Sequence, residues 1–254
     1  MFTPARLDTA APVRVNLYSD TQTRPSRAMK EAMMEAPLGD EQHGDDPTVW
    51  ALCDRMATLL GKEAAVFLPS GTMCNQVALA THGRPGEEVL AHETAHILTS
   101  EGGAPGAISG LMVRGLPGPR GQFSVETLEA AIRPRTRYAP PQRLVAVEQT
   151  ANLGGGACWP AAALDAVAEA AHGHGMVTHM DGARLMNAAV ALGVPASEIA
   201  RGYDSVWLDF TKGLGAPLGA VLAGSNVYIV AAWRWKHRLG GSMLEGGICA
   251  AACL

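Results

Sequence analysis

The 254-residue chain is short of charge, of aromatic rings and of paired cysteines. Charged residues make up 17%, the net charge is −4, and lysine and arginine form no run. A polyanion needs a concentrated basic face, so nucleic acid is excluded as a partner. The five cysteines (Cys53, Cys74, Cys158, Cys249 and Cys253) are odd in number and contain no C-x-x-C pair. That spacing gives neither a disulfide framework nor a zinc site, no metal is expected, and a reducing, cytoplasmic compartment is the expectation. Neither G-x-G-x-x-G nor G-K-[S/T] occurs, which argues against a dinucleotide or a nucleoside triphosphate as cargo. Met1–Asn16 lacks an apolar stretch and holds Pro4 and Pro12, so no signal peptide is read there. The uncharged run Gly213–Trp233 is long enough for a membrane span, but its four glycines, Pro217, Ser225 and Asn226 fit a buried strand, turn and helix better. No membrane partner is expected.

What the chain does have is hydrophobic residues (48%), glycine (29) and proline (16), enough for a large core with many short turns. Helical spacing puts Val49, Leu52, Cys53, Met56, Leu59 and Leu60 on one face of a helix over Pro47–Leu60, closed by Gly61. Short apolar runs predict strands at Ala64–Leu68, Glu88–Ala91, Leu144–Glu148, Met176–Asp181, Ser205–Asp209 and Ala220–Ala223. Between them, helices fit Met73–Thr81, Val125–Ile132, Pro160–His172 and Ala183–Leu192. This alternation predicts a single α/β domain with a mostly parallel sheet, entered by an irregular arm before residue 46. Gly246–Leu254 reads as the opening of an apolar helix that either docks on the domain or belongs to a longer protein.

Ligands in such sheets bind outside the carboxyl ends of the strands, and four clusters fall there. Ser70-Gly71-Thr72-Met73-Cys74-Asn75 is either a plain βα turn or an anion cradle, with small residues and hydroxyls at a helix N-terminus. Asp181-Gly182-Ala183-Arg184 is either a helix cap or an acid for a protonated heterocyclic nitrogen, followed by an arginine able to fork a carboxylate. Lys212 stands in the nearly uncharged run Asp209–Pro217, where a desolvated amine becomes a nucleophile for a Schiff base; Thr211 adds a donor. His96 either serves structure or stacks on a planar cofactor and moves protons. Anion cradle, stacking ring, ring-nitrogen acid and amine together describe pyridoxal phosphate better than any other cofactor.

These residues lie within longer motifs. They are Ser19-Asp20-Thr21-Gln22-Thr23-Arg24-Pro25, Gly44-Asp45-Asp46-Pro47-Thr48, Ser70–Gln76, Ala95-His96, Glu101-Gly102-Gly103, His179–Leu185 and Lys212–Pro217. In this order they resemble the L-threonine aldolases, in the β-eliminating lyase group of fold-type-I pyridoxal phosphate enzymes, over nearly the whole chain. The resemblance implies an aspartate aminotransferase-like large domain at 47–240, an N-terminal arm at 1–46 that reaches the active site, and a truncated C-terminal segment at 241–254. Family members continue for about another hundred residues as a small domain. It also implies Lys212 as the Schiff-base lysine, Asp181 on the ring nitrogen, and His96 on the ring face. Gly71, Thr72 and Thr211 would hold the phosphate, with Arg184, a cofactor-site neighbour, and Ser19 on the substrate carboxylate. The implied reaction is retro-aldol Cα–Cβ cleavage of threonine, allo-threonine or a related β-hydroxy-α-amino acid to glycine and an aldehyde, by a homo-oligomer (dimer or tetramer).

Departures from the family pattern shape these expectations. The run Glu148-Gln149-Thr150-Ala151-Asn152 carries Ala151 where a histidine is common, which leaves His96, His43 or a water as the β-hydroxyl proton acceptor. The small Ala151 points toward bulkier substrates such as phenylserine. His43 replaces a common tyrosine and is a candidate substrate contact. Leu244 replaces an arginine, and Arg234, Lys236 and Arg238 either reach a neighbouring subunit's phosphate or form a solvated face. Other readings are a pyridoxal phosphate-dependent β-eliminating lyase or transaminase, a non-catalytic cofactor-binding protein, and a plain nucleotide-binding module.

Overall fold

The structure, a computed structural model, describes residues 14–254. The part of the expected arm that contains Pro4 and Pro12 lies outside the described residues. Along the chain come α1 (Arg27–Met34), α2 (Pro47–Leu60), β1 (Ala64–Leu68), α3 (Gly71–His82), β2 (Glu88–His92), α4 (His96–Thr99), β3 (Met112–Leu116) and α5 (Val125–Ala131). They are followed by β4 (Gln142–Glu148), α6 (Ala161–Gly173), β5 (Val177–Gly182), α7 (Leu185–Leu192), α8 (Ala196–Ile199), β6 (Ser205–Asp209), β7 (Ala220–Gly224), α9 (Asn226–Arg238) and α10 (Gly247–Ala251). The strands form one seven-stranded sheet in the order β1-β7-β6-β5-β4-β2-β3. β7 runs antiparallel to both its neighbours, and the other pairings are parallel. Alternate residues feed the two faces. Phe67, Val145, Val147, Met180 and Leu208 pack beneath α2, α5 and α6. Val66, Leu68, Trp207 and Leu222 pack beneath α3 and α9. A sheet covered on both faces needs near-continuous apolar strands, and β2, β6 and β7 are buried throughout.

Local chemistry sets the elements. Asp46 caps α2 by accepting from the N–H groups of Thr48 and Val49 at 3.0 Å, Pro47 opens the helix, and Gly61 closes it at φ +64°. β3, α1 and the four-residue helices α4 and α8 were absent from the sequence pattern. β3 buries only Leu116 and pairs only with β2 at the sheet edge, so it carries no alternation to detect. The arm is not wholly irregular: Ser26 caps α1 by accepting from Met29 N–H at 3.1 Å. α7 begins at Leu185 rather than Ala183, because Ala183 and Arg184 form the turn between β5 and the helix, and both line the site.

α10 docks on the domain. Its Gly247 N–H donates to Asp46 at 2.8 Å, so one buried carboxylate caps α2 and holds the last helix. Lys236 is neither solvated nor available to a neighbouring subunit. It is 0% exposed, pairs with the buried Glu41 and lies 4.3 Å from the Trp233 ring centre. Glu41 also accepts from Met243 N–H at 3.0 Å, so the pair ties the arm to α9 and to the segment after it. Removing one partner of a buried pair strands the other charge. Lys236→Met is expected to cost about 3–5 kcal/mol in denaturant unfolding, and Glu41→Gln/Lys236→Met to recover most of it.

Candidate functional site

A cleft of about 370 Å³ opens at the carboxyl ends of β4, β5 and β6, bordered by the N-terminus of α3 and by the arm. Ser19, Gly71, Thr72, His96, Asp181, Arg184, Thr211 and Lys212 all line it, so the structure brings together eight of the nine expected site residues. The ninth, His43, lies elsewhere: its ring is exposed and pairs with Asp40 at 2.7 Å. Three neighbouring strands carry carboxylates on this cleft, Glu148 as the last residue of β4, Asp181 as the last but one of β5 and Asp209 as the last of β6.

Asp181 is 7% exposed. It accepts from Asn75 Nδ2 at 2.9 Å and from Ala183 N–H at 3.1 Å. Burial raises its pKa, and those two hydrogen bonds oppose the rise. Among the described residues no cationic side chain bonds to it. Asn75 is itself saturated: its Nδ2 also donates to Glu101 at 2.7 Å, and its Oδ1 accepts from Trp207 Nε1 at 2.7 Å and His179 Nε2 at 3.1 Å. An amide oxygen only accepts, so His179 carries its proton on Nε2, and its Nδ1 accepts from Ser205 Oγ at 2.8 Å. Burial holds His179 neutral, its pKa pushed down to about 3.

His96 opens α4, half-buried, and its Nδ1 donates to Glu101 at 2.7 Å. That bond is the main reason its pKa is raised. Lys212 pairs with Asp209, whose second oxygen accepts from both the N–H and the hydroxyl of Thr211 at 2.7 Å. Thr23 anchors this loop by donating to the Lys212 carbonyl at 2.7 Å. Arg184 is gripped from two nitrogens by Asp20, at 2.6 and 2.9 Å, which fixes the arm over the cleft and leaves Nη1 unused by that pair. Ser70 caps α3 by accepting from Met73 N–H at 3.2 Å, so the Gly71 and Thr72 amides remain at the helix start. A Cβ on Gly71 would run into the Trp207 ring, so glycine is needed where α3 meets this wall.

An amine, a buried carboxylate without a cation, an imidazole edge and a helix N-terminus around one cleft fit pyridoxal phosphate. The phosphate suits the α3 amides, a protonated ring nitrogen supplies the cation that Asp181 lacks, and the carbonyl suits Lys212. No cluster of three or more histidine, cysteine or acidic side chains suited to a metal occurs among the described residues.

Fold and donor set together define a pyridoxal phosphate-dependent lyase. Residues 16–254 match the model of the beta-eliminating lyase family, and the chain belongs to that family. It is 41% identical to low-specificity L-threonine aldolase 1 of Arabidopsis thaliana over 94% of its own length and 68% of that protein's. It is also 41% identical to the low specificity L-threonine aldolase of Escherichia coli (strain K12), over 94% of its own length and 71% of that protein's. A solved threonine aldolase structure from Leishmania major superimposes with a TM-score of 0.82 at 25% identity, covering 92% of this chain and 69% of that one.

The roles of Asn75, Glu101, Glu148, Asp209 and Asp20 were not assigned from sequence, although each lay in a recognised motif or at the end of a predicted strand. Asn75 stands four residues past Gly71, one helical turn on, which was the available signal. Glu101→Gln removes the carboxylate that raises His96, so the His96 imidazole pKa is expected to fall, read by an NMR titration. Asn75→Leu leaves Trp207 Nε1 and His179 Nε2 without their shared acceptor and is expected to cost about 1–3 kcal/mol of stability in denaturant unfolding.

Proposed function

We propose that this chain forms the cofactor-binding part of an aldolase that cleaves L-β-hydroxy-α-amino acids, threonine and allo-threonine among them, to glycine and an aldehyde. The observation that carries the reading is the convergence of Lys212, Asp181, His96 and the α3 N-terminus on one cleft, in a chain 41% identical to low-specificity threonine aldolases. In this reading residues 47–240 are the cofactor-binding unit, the arm up to residue 46 supplies Ser19 and Asp20, and 241–254 open a C-terminal segment. The family resemblance supports a homo-oligomer, dimer or tetramer, and a cytoplasmic setting. No helix among the described residues is long and apolar enough to cross a membrane.

Pyridoxal phosphate, when bound, supplies a carbonyl for an amine and a ring that draws electrons from the bond broken at Cα. The chain's own residues do the rest. The Gly71 and Thr72 amides and the Thr72 hydroxyl would hold the phosphate, joined by the Thr211 hydroxyl once it turns from Asp209. Asp181 keeps a proton on the ring nitrogen, and the Asn75 bond keeps Asp181 in place to do so. Lys212 presents its Nζ as the Schiff-base amine, with Asp209 beside it as the proton partner. His96 covers the ring face, its orientation locked by Glu101. Ser19 and Arg184 hold the substrate carboxylate, Arg184 through the nitrogen that Asp20 leaves open. His43 would touch substrate only in the cleft of a neighbouring copy.

The aryl-substrate expectation loses its geometric basis. Ala151 is 1% exposed and packs toward Gly121, while Thr150 and Asn152 face the cleft. Purified protein with pyridoxal phosphate is expected to release glycine and aldehyde in equal amounts from L-threonine and L-allo-threonine, with phenylserine as the comparison substrate. Asp181→Asn is expected to slow this at least about 100-fold without changing the products, in keeping with the loss of one preorganised electrostatic group. Ammonia with a keto acid in place of glycine would overturn the aldolase reading.

A further inference from the structure

We infer that Glu148 is a catalytic residue of the cleft, the group that takes the β-hydroxyl proton as the substrate's Cα–Cβ bond breaks. The inference rests on the aldolase reading above. Its basis is the sheet register: Glu148 at the end of β4 is the direct neighbour of Asp181 at the end of β5, and parallel strands in register turn both side chains to the same face. Two adjacent carboxylates resist ionising together. Asn75 and the Ala183 N–H hold Asp181 in place and oppose the rise that burial gives its pKa, and the protonated ring nitrogen of the aldolase reading would supply the cation that keeps it charged. Glu148 is therefore left to gain and lose a proton. Burial and Asp181 push its pKa up to about 7.

Of the other titratable groups of the cleft, the amine, the guanidinium and their carboxylates are held in ion pairs. Lys212 and Asp209 pair with each other. Arg184 pairs with Asp20. His96 spends its Nδ1 proton on Glu101 and keeps Nε2 as the rival acceptor, which the His96→Phe variant separates from Glu148. Ala151 has no group to offer. Glu148 is also held in place: Oε1 accepts from His96 N–H and Oε2 from Asn152 N–H at 3.3 Å, which fixes the carboxylate in the cleft wall. A separated pair of acids, one kept charged and one poised near neutrality, is a pattern that marks an acid and base assignment.

The proton leaves the β-hydroxyl for a Glu148 oxygen, and the O–H electron pair becomes the second bond of the aldehyde carbonyl. The Cα–Cβ pair stays on Cα, which later takes up one proton to give glycine. Glu148 returns its proton to solvent for the next turnover. A base acts when deprotonated, so kcat/KM is expected to fall as pH drops below about 7. His96, Asp181, Asp209, Arg184 and Lys212 face the same cleft, so the variant must show which group sets that limb.

The test compares wild type, Glu148→Gln, Glu148→Asp and His96→Phe, each loaded with pyridoxal phosphate. Glu148→Gln is expected to lower kcat about 100-fold or more and to abolish the acid limb, with Glu148→Asp recovering part of both. Independently of turnover, infrared difference spectra of the loaded protein are expected to show a protonated carboxyl band titrating near neutrality in wild type and missing in Glu148→Gln. Loss of the limb in His96→Phe but not in Glu148→Gln would overturn the inference. So would a Glu148→Gln rate within about threefold of wild type, or an unchanged infrared titration. A wild type that releases no glycine from any β-hydroxy amino acid would instead sink the aldolase reading, a distinguishable failure. If Glu148→Gln does not fold, Glu148→Asp and the wild-type limb still decide.

Discussion

The site depends on one buried carboxamide. Asn75 bonds to Glu101, Asp181, Trp207 and His179, and so uses all the hydrogen-bonding capacity of its amide. Through Glu101 it positions His96, and through Asp181 it holds the acid proposed for the ring nitrogen. Through Trp207 it fixes the wall that Gly71 passes and that Lys212 overlies at 5.7 Å. His179 and Ser205 carry the same network to His82, which burial also holds neutral, with a pKa pushed down to about 4. A fully satisfied polar network in a low-dielectric interior is rigid, and a half-satisfied one is costly. The cofactor-binding geometry is therefore built on α3 and the sheet, with loops closing over it.

The sheet supplies the second requirement. Because β4, β5 and β6 run parallel, their carboxyl ends meet on one edge, and each delivers an acid there. The three have separate partners. Asp209 has Lys212, Asp181 has Asn75 and an open side facing the cleft, and Glu148 has two backbone amides. Position in the strand order, more than residue type, sets these partners apart.

Much of this was legible in the residues. α2 and β1 fall where helical spacing and a short apolar run put them, and eight of the residues singled out from the motifs line one cleft. The predicted strands Leu144–Glu148, Met176–Asp181 and Ser205–Asp209 all end in an acid, and that shared ending already contained the carboxylate row. What periodicity could not show was pairing across long separations. Asp20 lies 164 residues from Arg184, and Glu41 lies 195 from Lys236. Lys236 looked like a surface lysine because nothing local marks a buried cation; only Glu41 and Trp233, brought up by the fold, explain it. Ala151 looked like room for substrate because the direction of its side chain is set by a bridge to Ala157, invisible in a linear pattern.

The central claim is that Lys212, held beside Asp209 in the same cleft as Asp181, is the amine that binds pyridoxal phosphate. The direct measurement is the visible spectrum of the purified protein with pyridoxal phosphate, before and after borohydride, followed by peptide mass mapping of the reduced adduct. The account predicts a yellow protein bleached by borohydride, with the adduct on Lys212 and on no other lysine. A protein that takes up no pyridoxal phosphate, or an adduct on another lysine, would contradict it.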